Sequence, residues 1–391
     1  MAMASLYVHI PFCEHKCIYC DFYSIAPQET PIRQRALVQQ FLDALKSEIG
    51  QRRQEDRFRV PYETVFFGGG TPSLLSPSSL AEILDVLASA FTIQADAEVT
   101  LETNPGTVNG EKLKDFRGAG VNRLSIGIQS FHDDELRFLT RIHSSGQGRQ
   151  CVQDARRAGF ENISLDLIFA LPLQTSERWA SSLRQAVGLG PAHISCYSLI
   201  VEPNTPLSNM VNNGRVVPVN TDRDAELYEF TIHFLRSHGY QQYEVSNFAQ
   251  PGFKSRHNIN YWNHSNYLGL GPSAHSFWRS GGAPGAAERW WNIASVPAYA
   301  DSLWRRVLPV AGREELTLEQ LIREEVFLGL RSEGIDVAGF RKRYGRDLLV
   351  EQKSRVETLL DEGMAVVEDG MLKLTSKGYL VCDEISASLQ Y

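Results

Sequence analysis

Between about residue 5 and residue 200 the chain alternates short apolar runs with amphipathic stretches, six times over. No other feature restricts the fold as strongly. Strands joined by stretches this long pair in parallel through helical crossovers, which places helices against the sheet. The runs are Leu6–Ile10, Thr64–Phe67, Glu98–Glu102, Arg123–Ile128, Ile163–Leu167 and Ile194–Leu199. Helices are expected over Arg33–Gln51, Ser78–Ala90, Gly110–Ala119, Asp133–Thr140, Gln147–Ala158 and Ser176–Gly188. Six strand–helix units fit an open, partial α/β barrel, whose chemistry belongs beyond the carboxyl ends of the strands.

The polar residues with chemical potential fall at those ends. Directly after the first run comes Cys13-Glu-His-Lys-Cys17-Ile-Tyr-Cys20, a C-x3-C-x2-C loop. Three thiolates this close can converge on one metal centre. A cubane iron–sulfur cluster usually takes four thiolates, so three leave one iron open and reactive. A zinc site with His15 or His9 as fourth ligand is the alternative reading. Gly68-Gly-Gly-Thr-Pro72 follows the second run, and its glycines let backbone approach a ligand closely. Glu102, Gln129, Arg141 and Asp166 lie at or just beyond the next three strands. Strand alternation puts Glu98, Thr100 and Glu102 on one face. Asp166 sits in an otherwise apolar run and needs a partner to offset burial. A structural ion pair of Arg141 with Asp166 or Glu102 would serve, and so would ligand contacts to hydroxyl and carboxylate groups.

The cysteine loop resembles that of the radical S-adenosylmethionine (radical SAM) superfamily. Tyr7-Val-His-Ile-Pro-Phe-Cys13, Phe66-Phe-Gly-Gly-Gly-Thr-Pro72, Arg123-Leu-Ser-Ile-Gly-Ile-Gln129 and Asp166-Leu-Ile-Phe-Ala-Leu-Pro172 together are similar to its coproporphyrinogen III dehydrogenase (HemN) group. The resemblance covers nearly the whole chain. It implies a partial (β/α)6 barrel and a [4Fe–4S] cluster on Cys13, Cys17 and Cys20. It also implies SAM contacts from Tyr7, Gly69, Gly70, Thr71, Pro72, Glu102, Gln129, Arg141 and Asp166.

That group holds two functional kinds, oxygen-independent coproporphyrinogen oxidases and HemW-like heme chaperones. The oxidases extend the cluster motif to C-x3-C-x2-C-x-C and carry a longer N-terminal arm. Here Cys20 is followed by Asp21-Phe22, and the first run begins a few residues from Met1. His257-Asn-Ile-Asn-Tyr-Trp262 matches the H-N-x-x-Y-W signature of the HemW-like kind. The resemblance is therefore nearest to the heme chaperones, implying heme as ligand and apo-hemoproteins, membrane-associated ones among them, as recipients. Imidazole can ligate heme iron, and Tyr261 and Trp262 offer flat apolar faces, so His257 is the expected heme contact. Radical decarboxylation of coproporphyrinogen III is the alternative function. His264 and His275 are not expected as ligands.

Residues from about 200 to 311 are less regular, rich in Asn, Gly, Pro and aromatics, and are expected to extend the barrel domain. From Gly312 the pattern turns to charged amphipathic helices. It ends in Val366-Val-Glu-Asp-Gly-Met-Leu-Lys-Leu374, where Asp369-Gly370 signals a hairpin. Residues 312–391 are thus expected to form a small winged-helix-like α+β module. With 10 basic and 16 acidic side chains over 314–391, it is not expected to bind nucleic acid. The whole chain carries a net charge of −7 and no apolar run near the ~20 residues of a membrane span. Three clustered cysteines out of six favour a reducing compartment over a disulfide framework, with Cys151, Cys196 and Cys382 as small buried residues. With no room for a leader before the first strand, a cytoplasmic location is expected.

Overall fold

The computed structural model describes residues 3–27, 30–279 and 286–389. Six parallel strands form its centre: β1 (Ala4–Ile10), β2 (Pro61–Gly69), β3 (Thr92–Thr103), β4 (Arg123–Gln129), β5 (Asn162–Phe169) and β6 (His193–Ser198). They lie in chain order, as right-handed crossovers require. The connections carry α1 (Pro31–Arg52), α2 (Pro77–Ala90), α3 (Gly110–Gly118), α4 (Asp133–Phe138), α5 (Ser145–Arg157) and α6 (Ser176–Gly188). Local chemistry starts the helices where they start. Thr30 caps α1, with its hydroxyl accepting from Arg33 N and Pro31 in the first turn, while Ser144 and Gln147 form a capping box on α5.

Period-two alternation sorts each strand into two faces. Leu6, Val8 and Ile10 of β1 share one core with Phe41, Leu45 and Ile49 of α1. Leu124 and Ile126 of β4, and Leu165 and Leu167 of β5, join the same core. The opposite face is polar: Tyr7 is paired with Phe66, Phe66 with Thr100, Thr100 with Arg123, and Glu102 with Ser125. This face lines the interior of an open, partial barrel. Cys151, Cys196 and Cys382 are buried, as expected of small apolar residues.

Residues after 200 extend this sheet at both edges, which their irregular sequence does not announce. β7 (Gln241–Gln242) and β8 (Asn247–Ala249) add antiparallel to β6. At the other edge β9 (Tyr267–Leu270) runs parallel to β1, followed by antiparallel β10 (His275–Arg279), β11 (Ala287–Asn292) and β12 (Val310–Leu316). Among the described residues the sheet thus has twelve strands. Glu48 of α1 holds this extension in place. Fully buried, it accepts from Gly271 N (2.8 Å), Asn292 Nδ2 (2.8 Å) and Tyr299 Oη (2.7 Å).

β12 carries the sheet through Leu316, beyond the boundary at 312 read from composition, and the next helix spans Leu318–Leu330. The C-terminal module adds a three-stranded sheet of β13 (Ile335–Asp336), β14 (Ala365–Glu368) and β15 (Met371–Leu374). Asp369 and Gly370 take φ of 51° and 77° and close the β14–β15 hairpin, the primed-turn geometry that the dipeptide favours. The module's core includes Phe277 and Ala287 of the large sheet. Glu324 of its first helix reaches His264 (3.0 Å) and Arg289 (2.6 Å).

Candidate cluster and cofactor site

The cysteine loop is fixed at several points. Phe12 bridges Ile25, Cys13 N donates to Ile25 O (3.0 Å), and Ile25 N to Pro11 O (2.7 Å). Ile18 N donates to Thr140 Oγ1 (3.2 Å), and Leu207 N to Ile18 O (2.9 Å). The glycine turn after β2 presses against this loop: Gly70 N donates to Ile10 O (2.8 Å) and Thr71 N to Phe12 O (2.7 Å). A Cβ at Gly70 would stand 2.7 Å from Phe12 O, so the sequence needs glycine there. Gly69 has φ of +106°, a conformation glycine reaches without strain. Pro72 is buried and starts a 3-10 turn over Pro72–Leu74.

Two of the three thiols receive donors from other elements. Thr71 Oγ1 donates to Cys13 Sγ, and Arg141 Nη1 to Cys17 Sγ, each at 3.6 Å. Burial first, and then the neighbouring Cys13 and Cys17, push the Cys20 thiol up to about 11. Three clustered sulfurs, two of them served by hydrogen-bond donors, suit a metal cluster whose cations supply the missing charge. Among the described residues no three His, Cys, Asp or Glu side chains are spaced to hold a single metal ion. His9, the alternative zinc ligand, meets Tyr7 Oη through Nδ1 (3.1 Å) and Tyr23 O through Nε2 (2.8 Å).

Below the loop lies a cavity of about 510 Å³. It brings together Cys20, Gly69, Gly70, Thr71, Glu102, Gln129, Arg141 and Asp166 of the expected site residues. Gln129 ends β4 with φ of +64°, where β4 and β5 slip register, and Ala170 just after β5 has φ of 56°. Such backbone is uncommon outside glycine and gathers at functional sites. The ion pairs considered for Arg141 do not form. Its Nη2 donates to Gly127 O (3.0 Å), and its Nε is buried without a partner. Asp166 instead accepts from Ser125 Oγ (2.8 Å) and Ser164 Oγ (3.1 Å). Glu102 Oε2 accepts from Gly69 N (3.2 Å). Burial, then the Asp166 charge, raises Glu102 to about 8, and burial also raises Asp166.

Tyr7 and His257 stand elsewhere. The Tyr7 ring stacks on Phe66 (6.2 Å) and its hydroxyl meets His9, so it backs the cavity wall. His257, the expected heme contact, is 1% exposed and lies outside the cavity lining. Its Nδ1 meets Thr64 Oγ1 (2.7 Å), its Nε2 meets Tyr261 Oη (2.9 Å), and its ring stacks on Phe66 (4.8 Å). With both nitrogens taken, the imidazole has none to offer an iron ion in this conformation. The next residue, Asn258, reaches the cavity instead. His264 is 6% exposed and paired with Glu324. His275 is exposed beside Trp291, 5.8 Å between ring centroids.

Several cavity residues were not among the expected site residues: Arg123, Ser125, Tyr197 and Asn258, with Phe22 and Ile200 adding apolar surface. For Arg123 and Ser125 a signal existed, since both share the strand face of Gly127 and Gln129 belongs to the same motif.

An open parallel α/β barrel with three clustered thiols and a glycine turn at the carboxyl ends of its strands is the architecture of radical SAM proteins. Residues 7–186 match the Radical SAM superfamily model, and residues 316–381 the HemN C-terminal domain. The chain is 38% identical to the heme chaperone HemW of Bacillus subtilis over 389 residues, 98% of both chains. It is 34% identical to HemW of Lactococcus lactis over 380 residues, 96% of this chain and 94% of that one. In structure it is similar to the radical SAM coproporphyrinogen III oxidase HemN of Escherichia coli. That likeness has a TM-score of 0.82 and 25% identity, over 100% of this chain and 90% of the other. The chain belongs to the HemW family of radical SAM proteins. A [4Fe–4S] cluster and SAM are what the family implies, and the thiol and cavity chemistry fits both.

Proposed function

We propose that this protein is a heme chaperone, which takes up heme and passes it to apo-hemoproteins. The observation that carries this reading is the end-to-end identity to HemW chaperones, 38% over 98% of both chains. The residue after Asp21 supports it too. Phe22 replaces the extra cysteine of the oxidase pattern, is 61% exposed, and lines the cavity, adding apolar surface suited to a macrocycle.

In this reading Cys13, Cys17 and Cys20 hold the cluster. Gly69, Gly70, Thr71, Glu102, Gln129, Arg141 and Asp166 surround SAM, with Tyr7 and Pro72 behind them. The cluster supplies one-electron chemistry at an iron that the protein leaves open. Arg141 bridges the two groups, because its guanidinium touches Cys17 and also faces the cavity. Its Nε is a buried donor that no group of the protein uses. For cluster and SAM to gate transfer, heme or recipient must bind with different affinity in the two cofactor states. We take the C-terminal module as a docking or lid module and the cytoplasm as the location. No helix among the described residues is long and apolar enough to cross a membrane, so membrane-associated recipients would be met at the surface.

The test uses anaerobically reconstituted protein. With SAM, reductant and coproporphyrinogen III, no protoporphyrinogen should form, while a known oxidase run in parallel converts its substrate. Heme-loaded protein should transfer heme to an apo-hemoprotein, read as growth of the recipient's Soret band. Turnover of coproporphyrinogen would establish the alternative, an oxygen-independent oxidase, which the whole-chain likeness to HemN favours.

A further inference from the structure

The interior of the barrel carries a cation that makes no direct ion pair among the described residues. Arg123, the first residue of β4, is 2% exposed and lines the cavity. Its Nε has no hydrogen-bond partner. Among the described residues no carboxylate stands within ion-pair distance of its guanidinium. Three acids on the polar faces of β3 and β5 bond elsewhere. Glu98 accepts from the backbone N–H groups of Arg256 (3.1 Å) and His257 (3.2 Å). Glu102 accepts from Gly69 N, and Asp166 from Ser125 and Ser164. Burial raises both Glu102 and Asp166, and the Arg123 charge acts on each in the opposite direction, so the acids feel the cation without bonding to it.

Burying an unpaired guanidinium is costly, and proteins keep such groups where a ligand completes them. A planar fork of donors matches the two oxygens of a carboxylate. Asn258 lines the same cavity, and of its polar groups the backbone N–H is engaged by Ser255 Oγ (3.3 Å). Its side-chain amide is thus placed to add a donor.

We infer that Arg123 and Asn258 form a carboxylate subsite inside the barrel, distinct from the Arg141 donor beside the cysteine loop. It takes the carboxylate arm of a bound small molecule. Two sources share that chemistry, the propionate of a tetrapyrrole and the methionyl carboxylate of SAM. The tetrapyrrole arm rests on the heme-chaperone reading; the SAM arm does not.

The experiment measures equilibrium binding to the reconstituted protein by fluorescence quenching and calorimetry. Four probes serve: iron mesoporphyrin and its dimethyl ester, and SAM and decarboxylated SAM. Wild-type protein should prefer the free carboxylate within one of these pairs. Arg123→Gln should weaken that carboxylate probe at least tenfold and leave its carboxylate-free counterpart unchanged, while Arg123→Lys recovers part of the loss. Asn258→Asp keeps the guanidinium and adds a negative charge to the cavity, so it should produce the same selective loss if Arg123→Gln fails to fold. Circular dichroism and iron content verify that the variants are intact. The subsite is overturned if folded variants bind both members of each pair as wild type does, or lose both equally. Failure of wild-type protein to bind either porphyrin would defeat the chaperone reading, leaving the subsite to be judged on the SAM pair.

Discussion

Replacing His257 by alanine separates a structural imidazole from an iron ligand. In the folded protein the ring is neutral, because burial, and then the Arg123 charge, lower its pKa to about 3. Its removal takes away two hydrogen bonds, to Thr64 and Tyr261, and the stack on Phe66. Thr64 is fully buried, so its hydroxyl is left without a partner, at a cost of about 1–3 kcal/mol. At Tyr261, half-buried as a residue, the net bond of about 1 kcal/mol is lost. Together these give a destabilisation of about 2–4 kcal/mol, a large share of a typical stability of about 5–15 kcal/mol. Urea unfolding should therefore show a lower midpoint for His257→Ala. The absorption spectrum of heme bound to the folded fraction should not change. An unchanged midpoint together with a lost axial-ligand signature would refute this reasoning and place the imidazole on iron. The same group has a pH signature. Its folded pKa lies below the unfolded value of about 6.5, so the unfolded chain binds the proton more tightly. The stability it contributes is present above about pH 6.5 and declines toward pH 3, a slope that His257→Ala should remove.

Three further outcomes are expected. Gly70→Ala would set a Cβ 2.7 Å from Phe12 O and 2.9 Å from Ile10 O, so it should cost about 1–3 kcal/mol and displace the cysteine loop. Iron per chain after reconstitution should fall, and full iron content with wild-type stability would contradict the close approach. Cys17→Ala should abolish the broad cluster absorption near ~400 nm while leaving the circular dichroism intact; undiminished iron would exclude Cys17 as ligand. Glu102, raised to about 8 by burial and Asp166, is protonated in the fold over a range where the unfolded chain has lost its proton. Its contribution is complete below about pH 4.5 and is lost as pH rises through 8. Glu102→Gln should flatten that part of the stability profile, and an unaltered slope would show that Glu102 is ionised in the fold.

Much of the barrel was legible because its information is local. Apolar runs such as Leu6–Ile10 and Ile163–Leu167 name strands by length and composition, and period-two spacing assigns each residue a face. The Asp369-Gly370 hairpin follows from two residues that tolerate positive φ. The glycine turn after β2 was equally readable, since close backbone approach requires the missing side chain. The sequence by itself therefore determined the strand–helix order, the loop carrying Cys13, Cys17 and Cys20, and the strand ends that bear Glu102, Gln129 and Asp166. Tertiary structure decided what those faces meet. β9 is four residues long and joins β1 across more than 250 positions of chain, a pairing with no local pattern to mark it. His257 looked available for iron until packing set Thr64 and Tyr261 against its two nitrogens. Arg123 looked like an ordinary strand start, and barrel curvature made it an unpaired interior cation. A side chain's face is set by its neighbours in sequence; its partners are set by burial and long-range pairing, which exist only once the sheet has formed.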